Sequence, residues 1–144
     1  MSYSYDYPRP AVTVDMVLIY PAENGTRILL IKRRDDPFRD KYALPGGFME
    51  MEETLEEAAF RELKEETGME VEKLVQFRAY SAVDRDPRGR TVSVVYYHIL
   101  RHKPGNPAPG DDAASASWFP LNSLPDLAFD HNMIVSDLRK QLGF

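Results

Sequence analysis

Three glutamates near the middle of the chain have a spacing suited to binding a cation. Residues 47–69 read GFMEMEETLEEAAFRELKEETGM, and a helix is predicted over Glu53–Thr67. At about 100° per residue, Glu62, Glu65 and Glu66 fall within about a third of its circumference. Their mutual repulsion is relieved if a cation lies between them. Because carboxylate oxygens suit Mg²⁺ or Mn²⁺, the pattern predicts a metal-binding helix face.

Neighbouring residues favour this interpretation over a merely solvated acidic helix. Arg61 is placed to pair with Glu57 and Glu65, one turn on either side, and so to orient a metal ligand. The two glycines at 46–47 would let the backbone approach a bound ligand closely. Gly68 follows the last helical residue, where glycine commonly ends a helix.

The same stretch resembles the Nudix box, a pattern of glycine, glutamate, Arg-Glu, an aliphatic residue, Glu-Glu, glycine and a second aliphatic residue at fixed spacing. Its nine defined positions are filled by Gly47, Glu53, Arg61, Glu62, Leu63, Glu65, Glu66, Gly68 and Met69. With average residue usage, a chance match is expected about once in a billion windows. The resemblance implies an α/β/α sandwich with a mixed sheet, in a single domain over residues 1–144. It also implies hydrolysis of a nucleoside diphosphate derivative by water attack at phosphorus.

The resemblance assigns roles to the residues of the box. Glu53 would lie behind the metal ligands or contact a metal through water, and Arg61 would orient the glutamates. Divalent ions lower the pKa of bound water and neutralise phosphate oxygens, and a second ion can stabilise the leaving oxygen. The implied metal ligands are Glu62, Glu65, Glu66 and the carbonyl oxygen of Gly47.

Two sources remain open for the group that accepts a proton from the attacking water. Members of the family often place this base in a loop ahead of a Trp-containing strand. Here Asp111 and Asp112 precede Trp118, and Asp112 is the candidate. These aspartates are equally consistent with a polar turn, in which case a glutamate of the box would accept the proton.

Segments outside the box indicate the substrate. Residues 7–15 (YPRPAVTVD), 84–90 (DRDPRGR) and 129–132 (FDHN) resemble the bacterial ADP-ribose pyrophosphatase branch of the family. That resemblance implies hydrolysis of ADP-ribose to AMP and ribose 5-phosphate. Larger ADP-ribose hydrolases carry a proline where this chain has Asp84 and Arg85. The alternative is a nucleoside triphosphate, cleaved to a monophosphate and pyrophosphate.

Candidate substrate contacts lie on both sides of the box. Arginines ahead of it could bind a diphosphate in a bidentate manner. Side chains and free N–H groups at the start of the last helix could also face a ligand. The candidates are Arg33, Arg34, Gly46, Phe129, Asp130 and His131. In the alternative interpretation, Phe129 packs the helix onto the core and Asp130 caps it.

A function of another class is an ADP-ribose-sensing regulatory module. Some Nudix-like domains bind ADP-ribose to regulate transcription, with a DNA-binding domain attached. Two features favour an enzyme instead. The box is intact, and the sequence ends at Phe144 with no room for a winged helix.

Composition limits the remaining choices. A chain of 144 residues is expected to form one domain, and its net charge of −5 argues against a surface that coats nucleic acid. There are no cysteines, so disulfides and thiolate metal sites are excluded. Neither a signal peptide nor an apolar run of about 20 residues is present. We therefore expect a cytoplasmic protein that acts on a small-molecule nucleotide, with no nucleic acid or membrane as partner; a homodimer is left open.

The elements that position these residues can be read from the rest of the chain. Hairpins and two separated helices indicate a mixed sheet with helices on its faces. A turn is predicted over 21–25, and a closing helix over His131–Leu142 with Asp130 as its N-cap. Strands are predicted over Ala11–Tyr20, Arg27–Arg33, Val71–Val83, Thr91–Leu100 and Ala116–Phe119, with a short extended piece over Tyr42–Leu44.

Overall fold

One mixed sheet of seven strands carries a helix on each face, in a computed structural model that describes residues 2–108 and 113–144. This is the single-domain α/β/α sandwich expected from the sequence. The elements, in chain order, are β1 (Ala11–Ala22), β2 (Gly25–Arg33), β3 (Tyr42–Ala43), β4 (Gly46–Phe48), α1 (Leu55–Thr67), β5 (Val75–Tyr80), β6 (Thr91–Ile99), β7 (Ala113–Pro120) and α2 (His131–Leu142).

Strand β1 is the centre of the sheet. The main order is β3-β2-β1-β6-β5, with β4 also beside β1 and β7 beside β2. β1 and β6 are parallel over their whole paired length, from Ala11 opposite Thr91 to Ile19 opposite Ile99. The other strand pairs are antiparallel. The β1–β6 pair therefore makes the sheet mixed.

Strand β1 changes its neighbour halfway along. Its last residues pair with β2, from Ile19 to Ala22, and its earlier residues, 13–15, pair with β4. Between these two stretches, the Met16 N–H donates to the Pro45 carbonyl at 2.8 Å. On the N-terminal side of Ile19, β1 therefore diverges from β2, and the segment 42–48 lies between the two strands. We call this divergence of β1 and β2 the fork in the sheet.

Alternate side chains of β1 belong to two hydrophobic clusters, one on each face of the sheet. Val17 and Ile19 pack with the buried stripe of α2, Ile134, Val135 and Leu138. On the opposite face, Val14, Met16 and Leu18 pack with Ala58, Ala59 and Leu63 of α1. The period-2 alternation of the strand and the 3.6-residue period of the helices therefore fix which side of α1 faces the sheet.

Helix α1 has well-defined ends. Thr54 is the N-cap and forms a capping box with Glu57: the Thr54 hydroxyl accepts from the Glu57 N–H, and the Glu57 carboxylate accepts from the Thr54 N–H. The helix therefore begins at Leu55, two residues after the predicted start at Glu53. Gly68 adopts the left-handed conformation expected of a terminating glycine (φ 71°) and donates to the Lys64 carbonyl.

Several predicted boundaries need correction. The turn predicted over 21–25 is shorter, because β1 continues through Ala22, which pairs with Gly25. The strand predicted over Val71–Val83 is limited to β5, and the one over Ala116–Phe119 extends in both directions to become β7. Strand β4 was not predicted from the sequence, since three residues of glycine and phenylalanine carry no strand pattern. Asp130 holds the N-cap position of α2 but makes no side-chain capping bond.

No helix among the described residues is long and apolar enough to cross a membrane.

Candidate active site

A cleft of about 460 Å³ opens at the fork in the sheet. Its floor is formed by β1, β4 and the C-terminal half of α1. Its walls come from the loop after β2, the loop before β6 and the start of α2. Of the residues predicted for the site, the cleft is lined by Arg33, Gly46, Gly47, Arg61, Glu62, Glu66, Phe129 and His131. The fork therefore brings together residues from four separate parts of the chain.

Glu62 and Glu66 present buried carboxylates to the cleft. The Glu66 Oε1 atom accepts the Gly46 N–H at 3.1 Å, which ties α1 to the first residue of β4. Burial raises the pKa of Glu66 to about 9; the Gly46 N–H opposes this shift, while the neighbouring Glu62 and Asp15 carboxylates add to it. Burial also raises the pKa of Glu62, although the Arg61 guanidinium opposes the shift. Two carboxylates that are costly to charge lie side by side, as expected of a cation site.

Gly47 leaves open the space directly in front of Glu62. A Cβ atom added at Gly47 would lie less than 3.0 Å from both oxygens of the Glu62 carboxylate. Any other residue at this position would therefore displace that side chain. A hard-oxygen donor set, with an unobstructed backbone beside it, fits Mg²⁺ or Mn²⁺.

Arg61 connects the loop before α1 to the carboxylates on the helix. Its guanidinium donates twice to Glu53, at 2.9 and 2.6 Å, and once to the Phe48 carbonyl at 3.1 Å. It also donates to Glu62 at 2.9 Å and to Glu65 at 3.1 Å. The prediction that Arg61 pairs with Glu65 is confirmed, but its pairing with Glu57 is wrong, since the capping box holds the Glu57 carboxylate.

Glu65 differs from the other two glutamates in its surroundings. Its side chain is 56% exposed and contacts Arg61, whereas the side chain of Glu62 is 11% exposed. Within residues 2–108 and 113–144, no three acidic or histidine side chains are grouped closely enough to hold an ion by themselves. Mg²⁺ usually keeps several waters and takes further ligands from substrate phosphates, so a site with few protein ligands suits it.

Beneath the glutamates, Asp15 and His131 form a buried polar pair. Asp15 accepts from the Ser93 hydroxyl, and its Oδ1 atom lies 3.5 Å from His131 Nε2. The Leu44 N–H donates to His131 Nδ1 at 3.0 Å, which places the ring proton on Nε2, facing Asp15. Burial would raise the pKa of Asp15, but His131, Ser93 and Arg85 together hold it below its usual value. His131, a predicted substrate contact, thus anchors α2 to the cleft floor.

The arginines beside the cleft have different surroundings. Arg33 donates through Nε to the Pro37 carbonyl at 2.8 Å, and its guanidinium lies over the ring of Phe129. Burial lowers the pKa of Arg33, and the nearby charge of Arg88 lowers it further. Arg34 instead donates to the Ala113 carbonyl, and it does not line the cleft.

Asp130 does not reach the cleft either, because it binds Arg85. Two nearly parallel hydrogen bonds join them, at 2.9 and 2.6 Å, and the Arg85 side chain is 3% exposed. This pair attaches the loop before β6 to the start of α2. It explains why Asp130 does not cap the helix, as the sequence had suggested.

Sequence reasoning did not single out Asp15, Asp86 or Arg88, although all three line the cleft. Asp15 could have been found as the one acidic residue within an otherwise apolar and β-branched strand. Asp86 and Arg88 belong to the DRDPRGR segment, which the sequence analysis noted only for its resemblance to the ADP-ribose pyrophosphatase branch. Asp111 and Asp112, the candidate bases, lie outside the described residues.

Comparisons with known proteins agree with this geometry. A family model described as the NUDIX domain matches residues 9–138. The chain is 49% identical over 131 residues to an ADP-ribose pyrophosphatase of Methanocaldococcus jannaschii, covering 91% of this chain and 74% of that one. It is 36% identical to an ADPR responsive transcriptional repressor of Acinetobacter baylyi, covering 96% of this chain and 56% of the repressor.

A solved structure shares the fold over nearly its whole length. It is the NUDIX domain of Shewanella oneidensis NrtR in complex with ADP ribose. The TM-score is 0.87 at 29% identity, and the alignment covers 96% of this chain and 94% of that domain.

Proposed function

This chain belongs to the Nudix hydrolase family, and we propose that it hydrolyses ADP-ribose to AMP and ribose 5-phosphate. The observation that carries the proposal is the cleft itself, in which two buried carboxylates and an unobstructed glycine lie on the same floor, with Arg33 on the wall. Such an arrangement can accept the diphosphate of a nucleotide derivative. The identity of 49% to an archaeal ADP-ribose pyrophosphatase supports the choice of substrate.

Mg²⁺ or Mn²⁺ is the proposed cofactor, with Glu62, Glu65, Glu66 and the Gly47 carbonyl oxygen as its ligands. Burial of Glu62 and Glu66 favours this role, since carboxylates with raised pKa values release a proton when a cation takes its place. The more exposed Glu65 would exchange its contact with Arg61 for the cation. When bound, the cation neutralises phosphate oxygens and lowers the pKa of water.

The protein's own groups hold the reacting atoms in place. Arg61, fixed by Glu53 and the Phe48 carbonyl, orients Glu62, while the Gly46 N–H orients Glu66. Arg33 is placed to contact the diphosphate. A water oxygen attacks one phosphorus of the bridge, a new P–O bond forms, and the bond to the bridging oxygen breaks. The proton lost by the water passes to a base of the protein.

We assign that base to Asp112. Two described neighbours support the assignment: the Ala108 N–H donates to the Thr67 carbonyl at the end of α1, and Ala113 pairs with Arg33 beside the cleft. Asp112→Asn is expected to lower kcat by about 10²–10⁴-fold with little change in KM, as for loss of a general base. Asp126→Asn, at an exposed position that does not line the cleft, is the matched control. An unaltered kcat in Asp112→Asn would assign the proton to a glutamate of the box.

A panel of nucleotides with Mg²⁺, with products separated by chromatography, tests the substrate. ADP-ribose is expected to yield AMP and ribose 5-phosphate with a higher kcat/KM than any common nucleoside triphosphate. A triphosphate turned over at least about tenfold better, or about 1.4 kcal/mol in transition-state binding, would overturn the assignment. The proposed reaction, water attack at a phosphorus of a phosphoanhydride, would be unaffected by that result.

Similarity to the Acinetobacter baylyi repressor supports a second candidate, an ADP-ribose-sensing module. Both functions require the same cleft, but only one requires turnover. ADP-ribose bound tightly in the presence of Mg²⁺ and recovered intact would favour the sensor. Release of AMP at many turnovers per molecule favours the hydrolase.

A further inference from the structure

At the mouth of the cleft, the guanidinium of Arg88 lies between two aromatic rings. Its central carbon is 4.8 Å from the centre of the Phe48 ring and 5.4 Å from the centre of the Phe129 ring. All three residues line the cleft, and Phe48 directly follows the glycine in front of Glu62. The stacked side chains of Phe48, Arg88 and Phe129 therefore lie beside Gly47, one of the proposed metal ligands.

Asp86 holds Arg88 in this position. The buried Asp86 carboxylate, with a side chain only 2% exposed, accepts from Arg88 Nε at 3.1 Å, from Nη2 at 2.8 Å and from the Arg88 backbone N–H at 2.9 Å. These bonds use one edge of the guanidinium and neutralise its charge, so Arg88 is poorly suited to gripping a phosphate. Its flat faces lie against the rings of Phe48 and Phe129, so the surface left for stacking is the exposed side of Phe48, which is 42% exposed.

The rings are also held in place by an unusual backbone. Phe129 has a φ of 53°, and Phe38, whose ring lies 4.7 Å from that of Phe129, has a φ of 60°. Such conformations cost of order 1–3 kcal/mol each for bulky residues, and they persist where the surrounding structure dictates them, often at binding sites. The Phe48 backbone is fixed separately, by the bond from Arg61 to its carbonyl.

We propose that Phe48 binds the base of the nucleotide, which stacks on the exposed face of the phenyl ring, while Arg88 supports the opposite face of that ring. This assignment rests on the proposed function, because it places the adenine end of ADP-ribose. Stacking requires a flat ring system, which a base provides and a ribose does not. Because the contact uses π faces and no hydrogen-bond pattern, the site accepts different bases, and discrimination among them is weak.

Binding of the two reaction products distinguishes this site from the phosphate-binding part of the cleft. AMP carries a base and ribose 5-phosphate does not, so titration calorimetry with each compound in the presence of Mg²⁺ isolates the stacking contact. The wild type is expected to prefer AMP. Phe48→Leu is expected to weaken AMP binding by about 5- to 100-fold, the effect of losing one base-stacking contact. Arg88→Met removes the support behind the Phe48 ring and is expected to weaken AMP binding by a smaller factor. Binding of ribose 5-phosphate should stay within about twofold.

The chain offers a matched control for each variant. Phe60 on α1 is 37% exposed, slightly less than Phe48 at 42%, and it does not line the cleft. Arg78 lies over Phe77 at 4.8 Å and binds Asp137, as Arg88 lies over Phe48 and binds Asp86. Phe60→Leu and Arg78→Met should leave the binding of AMP unchanged.

The outcomes are separable from those of the proposed function. If the wild type shows no preference for AMP, or if both cleft variants bind AMP normally, the stacking site is overturned even when ADP-ribose is hydrolysed. Equal weakening of AMP and ribose 5-phosphate also overturns it, since the residues would then act on the phosphate or on the fold. Selective loss of AMP binding in an enzyme that does not hydrolyse ADP-ribose supports the site and overturns the proposed function.

Discussion

Replacement of Glu66 by glutamine is expected to lower kcat by about 10²–10⁴-fold without unfolding the protein. Glutamine keeps an oxygen to accept the Gly46 N–H but cannot provide the negative charge that a divalent cation requires. Because burial already disfavours the charged form of Glu66, a neutral side chain should be tolerated in the metal-free fold. Steady-state kinetics and thermal melting measure the two effects separately.

Glu56→Gln is the matched control for this variant. Glu56 lies on the same helix, does not line the cleft, and its carboxylate accepts from the Tyr96 hydroxyl at 3.3 Å, a bond that glutamine can retain. Millimolar Mg²⁺ or Mn²⁺ should raise the melting temperature of the wild type and of Glu56→Gln, and that of Glu66→Gln much less. Equal losses of activity at both positions would mean that the acidity of the helix matters and that the metal site is wrongly assigned.

Gly47→Ala is expected to lower kcat by about 10²-fold while changing the melting temperature little. The added methyl group would occupy the space less than 3.0 Å from the Glu62 carboxylate and force it to move. A carboxylate at the end of a flexible side chain moves at small cost in stability, but a displacement of about 1 Å at a reaction centre can cost about 10²-fold in rate. Steady-state kinetics should therefore show the fall in kcat, while thermal melting shows a stability close to that of the wild type.

Gly105→Ala provides the comparison, since a Cβ atom at Gly105 meets no other atom within 4 Å. Both variants carry the same change, and only one places it in the cleft. Wild-type kcat in Gly47→Ala would show that the position of Glu62 is not critical. Extensive unfolding of Gly47→Ala would show instead that the backbone, and not the Glu62 side chain, absorbs the collision.

Local sequence signals predicted the parts of the structure that depend on neighbours along the chain. The end of α1 at Gly68 and the shared face of Glu62 and Glu66 follow from helical periodicity and glycine conformation. The pairing of Arg61 with Glu57 failed because two local interactions compete for the same carboxylate. Glu57 satisfies a free N–H at the helix start, which leaves Arg61 to bind Glu53.

Features set by distant pairing could not be read from the sequence. Strand β4 exists because residues 46–48 meet residues 13–15 of β1, and nothing in a Gly-Gly-Phe sequence indicates that register. The same pairing places Asp15 opposite Gly46. The Asp15 carboxylate also lies 3.5 Å from His131, the first residue of α2, which is more than 100 residues away in the sequence. The sequence placed Glu62 and Glu66 on one face of the helix, while the residues that contact them could be identified only from the sheet.

The divergence of β1 from β2 gives the cleft a floor and walls that differ in how they are built. The floor of the cleft is built from main-chain ladders and one helix, so alterations there disturb the sheet itself. The walls are side chains on the segments 34–41, 84–90 and 128–131, where exposed residues such as Asp35 and Asp36 tolerate substitution better than the buried pair of Arg85 and Asp130. New specificities can therefore arise by exchanging wall residues while the hydrolytic machinery is inherited unchanged. For engineering, the exposed wall residues offer the positions at which the substrate can be altered with the least risk to folding.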